Sequence, residues 1–302
     1  MQNSGDNGFE TSLAATLLPL VEGFFETTDY AESSRRAVKG DLLKFGRWFV
    51  QSNGERFDPV RVTTRDCADF RDSLRRERNQ AVATVNRCLV SVRRFFRWLK
   101  ENGHVASSPI DGVKELRKQE LAPKTLDRSQ IRKLLREAEA RQDIRAVAIF
   151  SLFLYCGCRV SELCGLELAD LTFSERSGWA LLRHAKGNKQ RQVPVPLAAR
   201  RAIQTYLDCR PPSTKTKVFV GERGPLTTRG VRALFEKYSA IVGVHVHPHL
   251  LRHVFGHEFL AQNANDLVGL ASLMGHVSIN VTRRYAQRTA AQLEASAERL
   301  VF

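Results

Sequence analysis

The sequence predicts a mainly α protein with a small β-sheet in its C-terminal domain. Three observations carry this. Apolar residues recur at helical spacing through most of the first hundred positions. Only residues 178–196 read as paired strands, around a turn of hairpin composition. Charge is also unevenly spread. Residues 1–120 hold 20 Lys+Arg against 17 Asp+Glu, whereas residues 121–302 hold 27 against 15. A chain of 302 residues fits two domains, and these differ in charge as well as in pattern.

The N-terminal elements follow from periodicity and punctuation. Leu13–Phe25 is apolar at helical spacing. Ser33–Gln51 repeats Val38, Leu42, Phe45 and Phe49 on one face and stops at Asn53-Gly54 and Pro59. A third helix is predicted from Arg65 to Arg78, with Asp66 and Asp69 where the helix dipole favours anions. A fourth runs from Ala81 to Asn102 and ends at Gly103. Its Leu89, Val92, Phe95, Phe96, Trp98 and Leu99 suit a bundle core. Arg87, Arg93, Arg94, Arg97 and Lys100 read either as a solvated face or as a face for nucleic-acid phosphates.

Residues 107–124 lack apolar periodicity and read as a basic linker, so the domains are expected at 10–106 and 125–302. Beyond it, helices are predicted over Asp127–Arg141 and Ile144–Cys156, and strands over Gly178–Arg183 and Gln190–Pro196. More helices follow at Leu197–Leu207, Thr228–Ile241, His249–Gln262, Leu267–Met274, Asn280–Tyr285 and Ala290–Leu300.

Net charge of +15 and a pI of about 10.0 point to a polyanion partner, nucleic acid first. The six scattered cysteines read as reduced thiols of a cytoplasmic protein, and Cys156-Gly-Cys158 is too tight for the usual paired zinc spacing. The longest apolar run, near Val147–Leu154, is too short to cross a bilayer, so no membrane partner is expected. The polar, acidic start does not read as a targeting peptide. Phosphate-loop and dinucleotide motifs are absent, so no nucleotide cofactor is expected.

The C-terminal half carries the chemistry. Arg159 opens a Val-Ser-Glu-Leu run that sets Glu162 three residues on, on the same helical face. His249 and Arg252 share a face in the same way. Two planar guanidinium forks can each hold two oxygens of a phosphodiester. His276, just after Gly275, is placed to donate to the same phosphate. Lys186, in a Lys-Gly-Asn-Lys turn, is a long-stemmed proton donor for a leaving oxygen, and Lys189 and Arg191 beside it are read as gripping DNA backbone. Tyr285 follows Arg283-Arg284, whose positive charge favours the phenolate and makes it a candidate nucleophile.

Each piece has a plainer reading: a surface ion pair for Arg159 and Glu162, a capping or core role for either histidine, a solvated hairpin lysine, a packed tyrosine. A rival pattern also exists. His249, His253 and His257 recur at i, i+4, i+8, but no cysteine is near and there is no His-Glu-x-x-His, so no metal site is expected.

Tyr155-Cys-Gly-Cys-Arg-Val-Ser-Glu-Leu, Lys186-Gly-Asn-Lys-Gln-Arg-Gln-Val-Pro-Val, His249-Leu-Leu-Arg-His, Leu273-Met-Gly-His and Tyr285 nine residues after His276 together resemble the tyrosine recombinases, the phage integrase family. The pattern spans about residues 125–290. Residues 10–105 resemble that family's helical core-binding domain less specifically.

The resemblance implies a core-binding domain and a mixed α+β catalytic domain forming a C-shaped clamp on double-stranded DNA. It implies Tyr285 as nucleophile, giving a 3′-phosphotyrosyl link and a free 5′-hydroxyl. Arg159, Arg252 and His276 then stabilise the phosphate, His249 assists proton transfer, Lys186 is the general acid, and neither metal nor ATP is needed. It further implies a tetramer exchanging strands at a recombination site through a Holliday junction, homomeric or shared with a paralogue. The tail from Ala290 to Phe302, with Leu293, Leu300, Val301 and Phe302, would dock on a neighbouring protomer.

Departures are small. Cys158 and Ala185 stand where leucine and glycine are usual, and Arg283-Arg284 precede the tyrosine. The layout resembles the simple Xer-like or Cre-like one, in a role of mobile-element integration, excision or resolution, or of dimer resolution. Rival functions are a type IB topoisomerase-like nicking enzyme and a non-catalytic DNA-binding protein.

Overall fold

The computed structural model describes residues 5–117, 125–185, 189–213, 216–264, 266–275, 282 and 285, and their side chains other than those of residues 5–14, 33, 184, 185 and 189. The chain gathers into two compact units, Met1–Leu121 and Ala122–Phe302.

The first unit holds four helices, α1 (Gly5–Glu26), α2 (Glu32–Asn53), α3 (Thr64–Arg76) and α4 (Val82–Glu101). The apolar stripe of α2 is buried, as its spacing requires, and Phe45 meets Phe57, Phe70 and Phe96 edge-on at 5.0–6.1 Å between ring centres. α3 starts at a reciprocal cap: the Thr63 hydroxyl accepts from the Asp66 N–H, and the Asp66 carboxylate accepts from the Thr63 N–H at 2.8 Å. Between α2 and α4, buried Asp41 accepts from Arg87, the Cys88 thiol and the Ser91 hydroxyl.

The segment expected to be linker does not begin at residue 107. Ile110 and Val113 are buried in the first unit's core. The Asn86 side chain donates to the Leu116 carbonyl at 2.8 Å and accepts from its N–H at 2.9 Å. Two isolated apolar residues and one amide tie the chain down without any periodicity to announce it.

The second unit is built on α6 (Ile144–Cys156), largely apolar and packed against α5 (Arg128–Ala140), α8 (Leu197–Asp208) and α10 (Pro248–Gln262). Between α6 and α8 run α7 (Val160–Gly165) and an antiparallel sheet β1–β2–β3 (Leu171–Phe173, Gly178–Ala185, Lys189–Pro194). Its register pairs Leu182 with Arg191 and Ala180 with Val193, then shifts between Leu182 and Ala185. A 3-10 turn (Leu168–Asp170) ahead of β1, a hairpin β4–β5 (Val220–Gly221, Gly224–Pro225), α9 (Thr228–Val242) and α11 (Leu267–Met274) complete the described elements. β1, β4 and β5 have two or three residues each, too few to show alternation in a sequence. The helices expected at Asn280–Tyr285 and Ala290–Leu300 lie outside the described residues, apart from Thr282 and Tyr285. Among the described residues no helix is long and apolar enough to cross a membrane.

Candidate active site

The site forms where α7, β3, α10 and α11 meet. Helix α6 ends at Gly157, whose φ of 57° is left-handed and turns the chain so that Arg159 leads into α7. Glu162, fully buried one turn on, accepts from the Arg159 N–H at 2.7 Å and from Arg159 Nη1 at 2.8 Å. The same carboxylate accepts Arg191 Nη1 and Nη2 at 2.6 and 2.9 Å, so one acid holds two guanidinium groups. Burial pushes the Glu162 carboxyl up, but Arg191 and then Arg159 outweigh it and hold it below the ordinary carboxylate value.

α10 begins at Pro248 after a side-chain cap, with His247 Nδ1 accepting from the Leu250 N–H at 3.1 Å. This phases the helix so that Arg252 points inward. Arg252 is only 3% exposed and donates to the Gly157 carbonyl through Nη1 and to the Met274 carbonyl through Nη2 at 2.8 Å. Burial, then repulsion from Arg159 and Arg191, brings its pKa down to about 10, while Glu162 and Tyr285 oppose the shift; it stays cationic at neutral pH.

The three arginines share one more partner, the C-terminal end of α11. Arg191 Nε donates to the Leu273 carbonyl at 2.7 Å, Arg252 to Met274, and Arg159 Nη2 to Gly275 at 3.1 Å. The Gly275 N–H covers the carbonyls of Ala271 and Ser272. The carbonyls that a helix end leaves open are thus taken up by cations, at the end of the dipole that attracts them.

Tyr285 lies against α10 and is 3% exposed. Its ring centre is 5.0 Å from that of His253 and 5.6 Å from that of His257, and His253 in turn meets His249 at 4.2 Å. Gly256 makes the space: a Cβ there would fall 2.6 and 2.8 Å from the tyrosine ring. Of the i, i+4, i+8 histidines, His253 and His257 therefore line a tyrosine, and His249 adjoins His253. Among the described residues no group of three or more His, Cys, Asp or Glu is placed to hold a metal.

The structure thus brings together Arg159, Glu162 and Arg252, and places Tyr285 beside His253, which His249 adjoins. Lys186 and His276 lie outside the described residues, as do the Lys189 side chain, Arg283, Arg284 and the tail from Ala290.

The reading of Arg191 is corrected. Arg191 does not face outward to a DNA backbone; its side chain is 11% exposed and turned under the site. The reason is strand alternation, since Arg191 shares a face with buried Val193 and Val195. That alternation was the signal available in the sequence. His253, read only as part of a metal pattern, is the other residue whose place was missed.

In the first unit, Arg87 pairs with Asp41, while Arg93 donates to the Val113 carbonyl at 3.0 Å and to Glu115 at 3.3 Å. Arg94 donates to the Tyr30 hydroxyl at 3.3 Å, and Arg97 and Lys100 are exposed. Arg93 thus fastens the following segment to α4 rather than facing solvent, because that segment folds back over the helix.

Known proteins resemble this arrangement along most of the chain. Residues 124–292 match the phage integrase family, and residues 20–103 match the N-terminal SAM-like domain of phage integrases. The tyrosine recombinase XerC of Thermodesulfovibrio yellowstonii is 33% identical over 266 residues, covering 83% of this chain and 84% of that protein. XerC of Chromobacterium violaceum is 34% identical over 227 residues, 72% and 74% of the two chains. In fold, the chain is similar to XerH site-specific recombinase bound to a palindromic difH substrate, with a TM-score of 0.73 at 19% identity over 88% of this chain and 79% of that one. The Tn1549 transposon integrase, in complex with a circular intermediate DNA, gives 0.74 at 20% identity over 94% and 99%. With both matched regions, these relatives and the buried guanidinium cluster in view, the chain belongs to the phage integrase family, the tyrosine recombinases.

Proposed function

We propose that this chain is a site-specific DNA recombinase that breaks and rejoins duplex DNA through Tyr285. The phenolic oxygen attacks the scissile phosphorus, a P–O bond to Tyr285 forms, and the bond to the 5′-oxygen breaks. The phenolic proton passes to the histidine side of the site, where His249 assists. The departing 5′-oxygen takes a proton from Lys186. Arg159, Arg252 and His276 hold the nonbridging oxygens as charge builds on the pentacoordinate phosphorus. The phosphodiester energy stays in the 3′-phosphotyrosyl bond, and its reversal reseals DNA without ATP or metal.

The observation that carries this reading is the gathering of three guanidinium groups at one helix end, with Tyr285 packed on the helix that supplies Arg252. Such a site supplies electrostatic stabilisation and a covalent nucleophile, the two requirements of metal-free transfer.

Four protomers on paired sites, exchanging strands through a Holliday junction, extend the reading. The XerC relatives favour exchange over simple nicking. We place the protein in the cytoplasm, acting on paired sites of a chromosome or a mobile element. Inverted repeats in the DNA flanking the gene are the expected target.

The test is a nicked suicide duplex carrying such a site. Wild-type protein is expected to give an adduct that survives denaturant and forms in EDTA, and Tyr285→Phe to give none. No adduct from wild type on a bound site sinks the enzyme reading. Cleavage without tetramers on paired sites favours a topoisomerase-like nicking activity.

A further inference from the structure

Arg191 and Arg159 share one carboxylate but differ in how much of the side chain is left exposed. Arg159 keeps 30% of its side chain exposed, whereas Arg191 is 11% exposed and spends all three guanidinium nitrogens internally. Two go to the oxygens of Glu162 and the third to the Leu273 carbonyl. Gly275 leaves room for it, since a Cβ there would meet Arg191 Cδ and Nη1 at 3.0 Å. One side chain thus joins β3, the strand that follows Lys186, to α7, which follows Arg159, and to the last turn of α11, which precedes His276.

We propose that Arg191 is a positioning residue for strand cleavage: it shares the buried Glu162 carboxylate with Arg159, so that Arg159 keeps donors for the DNA phosphate. The inference rests on the recombinase reading above. A fully buried carboxylate needs its charge matched. With Arg191 present, four donors meet its two oxygens, two from each arginine. Without Arg191, Arg159 must match Glu162 alone and is drawn into that pair. A lysine at 191 keeps the charge but not the fork, because an ammonium cannot span two carboxylate oxygens and a carbonyl in this geometry.

Among the described residues, the charged and titratable groups facing Glu162 are Arg159 just ahead of α7, Arg191 from β3, Arg252 from α10 and the buried Cys158 thiol, which burial keeps protonated. Removing Arg191 leaves burial as the dominant influence on Glu162, so the carboxyl is expected to take up a proton nearer neutrality. Protonation would release Arg159.

The experiment compares wild type, Arg191→Lys, Arg191→Met and the double variant Arg191→Met/Glu162→Gln. The readouts are duplex affinity, thermal melting and the single-turnover rate of adduct formation at saturating DNA. Both single variants should bind within about threefold of wild type yet cleave at least about tenfold more slowly. The ratio of Arg191→Met to wild type should rise as pH is lowered, as a raised carboxyl pKa requires. The double variant should cleave faster than Arg191→Met and show no such pH trend.

Cleavage by both single variants at the wild-type rate overturns the proposal. So does a loss confined to DNA affinity with a shallower salt dependence, which would make Arg191 a phosphate contact. A pH-independent ratio that follows the melting temperature overturns it too, as that marks a structural role alone. If wild type itself gives no adduct, the recombinase reading fails and this inference falls with it.

Discussion

Gly157→Ala is the sharpest single test of how the second unit carries its site. Gly157 closes α6 at φ 57°, with its N–H bonded to the Phe153 carbonyl at 3.2 Å. A left-handed alanine costs about 1–2 kcal/mol. The added Cβ would also fall 2.3 and 2.6 Å from ring atoms of buried Phe255, far inside van der Waals contact. Such overpacking typically costs about 1–3 kcal/mol. The two effects together give roughly 2–5 kcal/mol, or a melting temperature roughly 4–20 °C lower for a unit of this size. The Gly157 carbonyl is also the acceptor of Arg252 Nη1, so cleavage should fall with stability. Thermal and urea unfolding of Gly157→Ala and of Gly157→Ala/Phe255→Leu separate the contributions: the second substitution should return the steric part and leave the backbone part. A single variant within about 0.5 kcal/mol of wild type refutes the reasoning, because neither strain nor crowding would then exist.

Further predictions concern other parts of the chain. Asp41→Ala strips three donors of their buried acceptor and should destabilise the first unit by about 1–3 kcal/mol, read as a lower urea midpoint. Gly256→Val places carbon atoms where the Tyr285 ring lies and should slow adduct formation at least about tenfold with DNA affinity retained; an unchanged rate would mean the tyrosine does not use this notch. Burial lowers the pKa of His257, and burial with nearby His245 lowers that of His247, so the folded state resists their protonation. Stability is therefore complete above the unfolded-state value of about 6.5 and falls as pH drops below it. His257→Gln should flatten that fall in a pH series of melting temperatures.

How far the sequence could be read depended on the range of the interaction. The stripe Val38, Leu42, Phe45 and Phe49 repeats within one helix, and all four residues are buried. Arg159 is the extended residue that caps α7 and Glu162 is the third residue of that helix, so their pairing is local to one helix start. The segment from Ile110 to Leu116 was misread as linker because its anchors lie on α4, 20 to 30 residues away, in Arg93 and Asn86. Arg191 meets acceptors 29 and 82 residues distant. Its inward face was present in the alternation with Val193 and Val195, but the adjoining lysines made an outward, DNA-facing reading attractive. The packing of Tyr285 between His253 and His257 depends on a missing Cβ at Gly256, which no charge or periodicity pattern reports. The carbonyl partners of the arginines carry no residue signature at all.

Those carbonyls have a consequence for how this protein can change. Leu273, Met274 and Gly275 serve the three arginines through main-chain atoms, so their side chains can vary as packing and the left-handed turn permit. The length of α11 cannot. Inserting or deleting one residue ahead of Leu273 would advance the chain by about 1.5 Å and rotate it by about 100°. All three guanidinium groups would lose their acceptors in one event. α11 works as a gauge whose count of residues, more than their identity, keeps the cations in step.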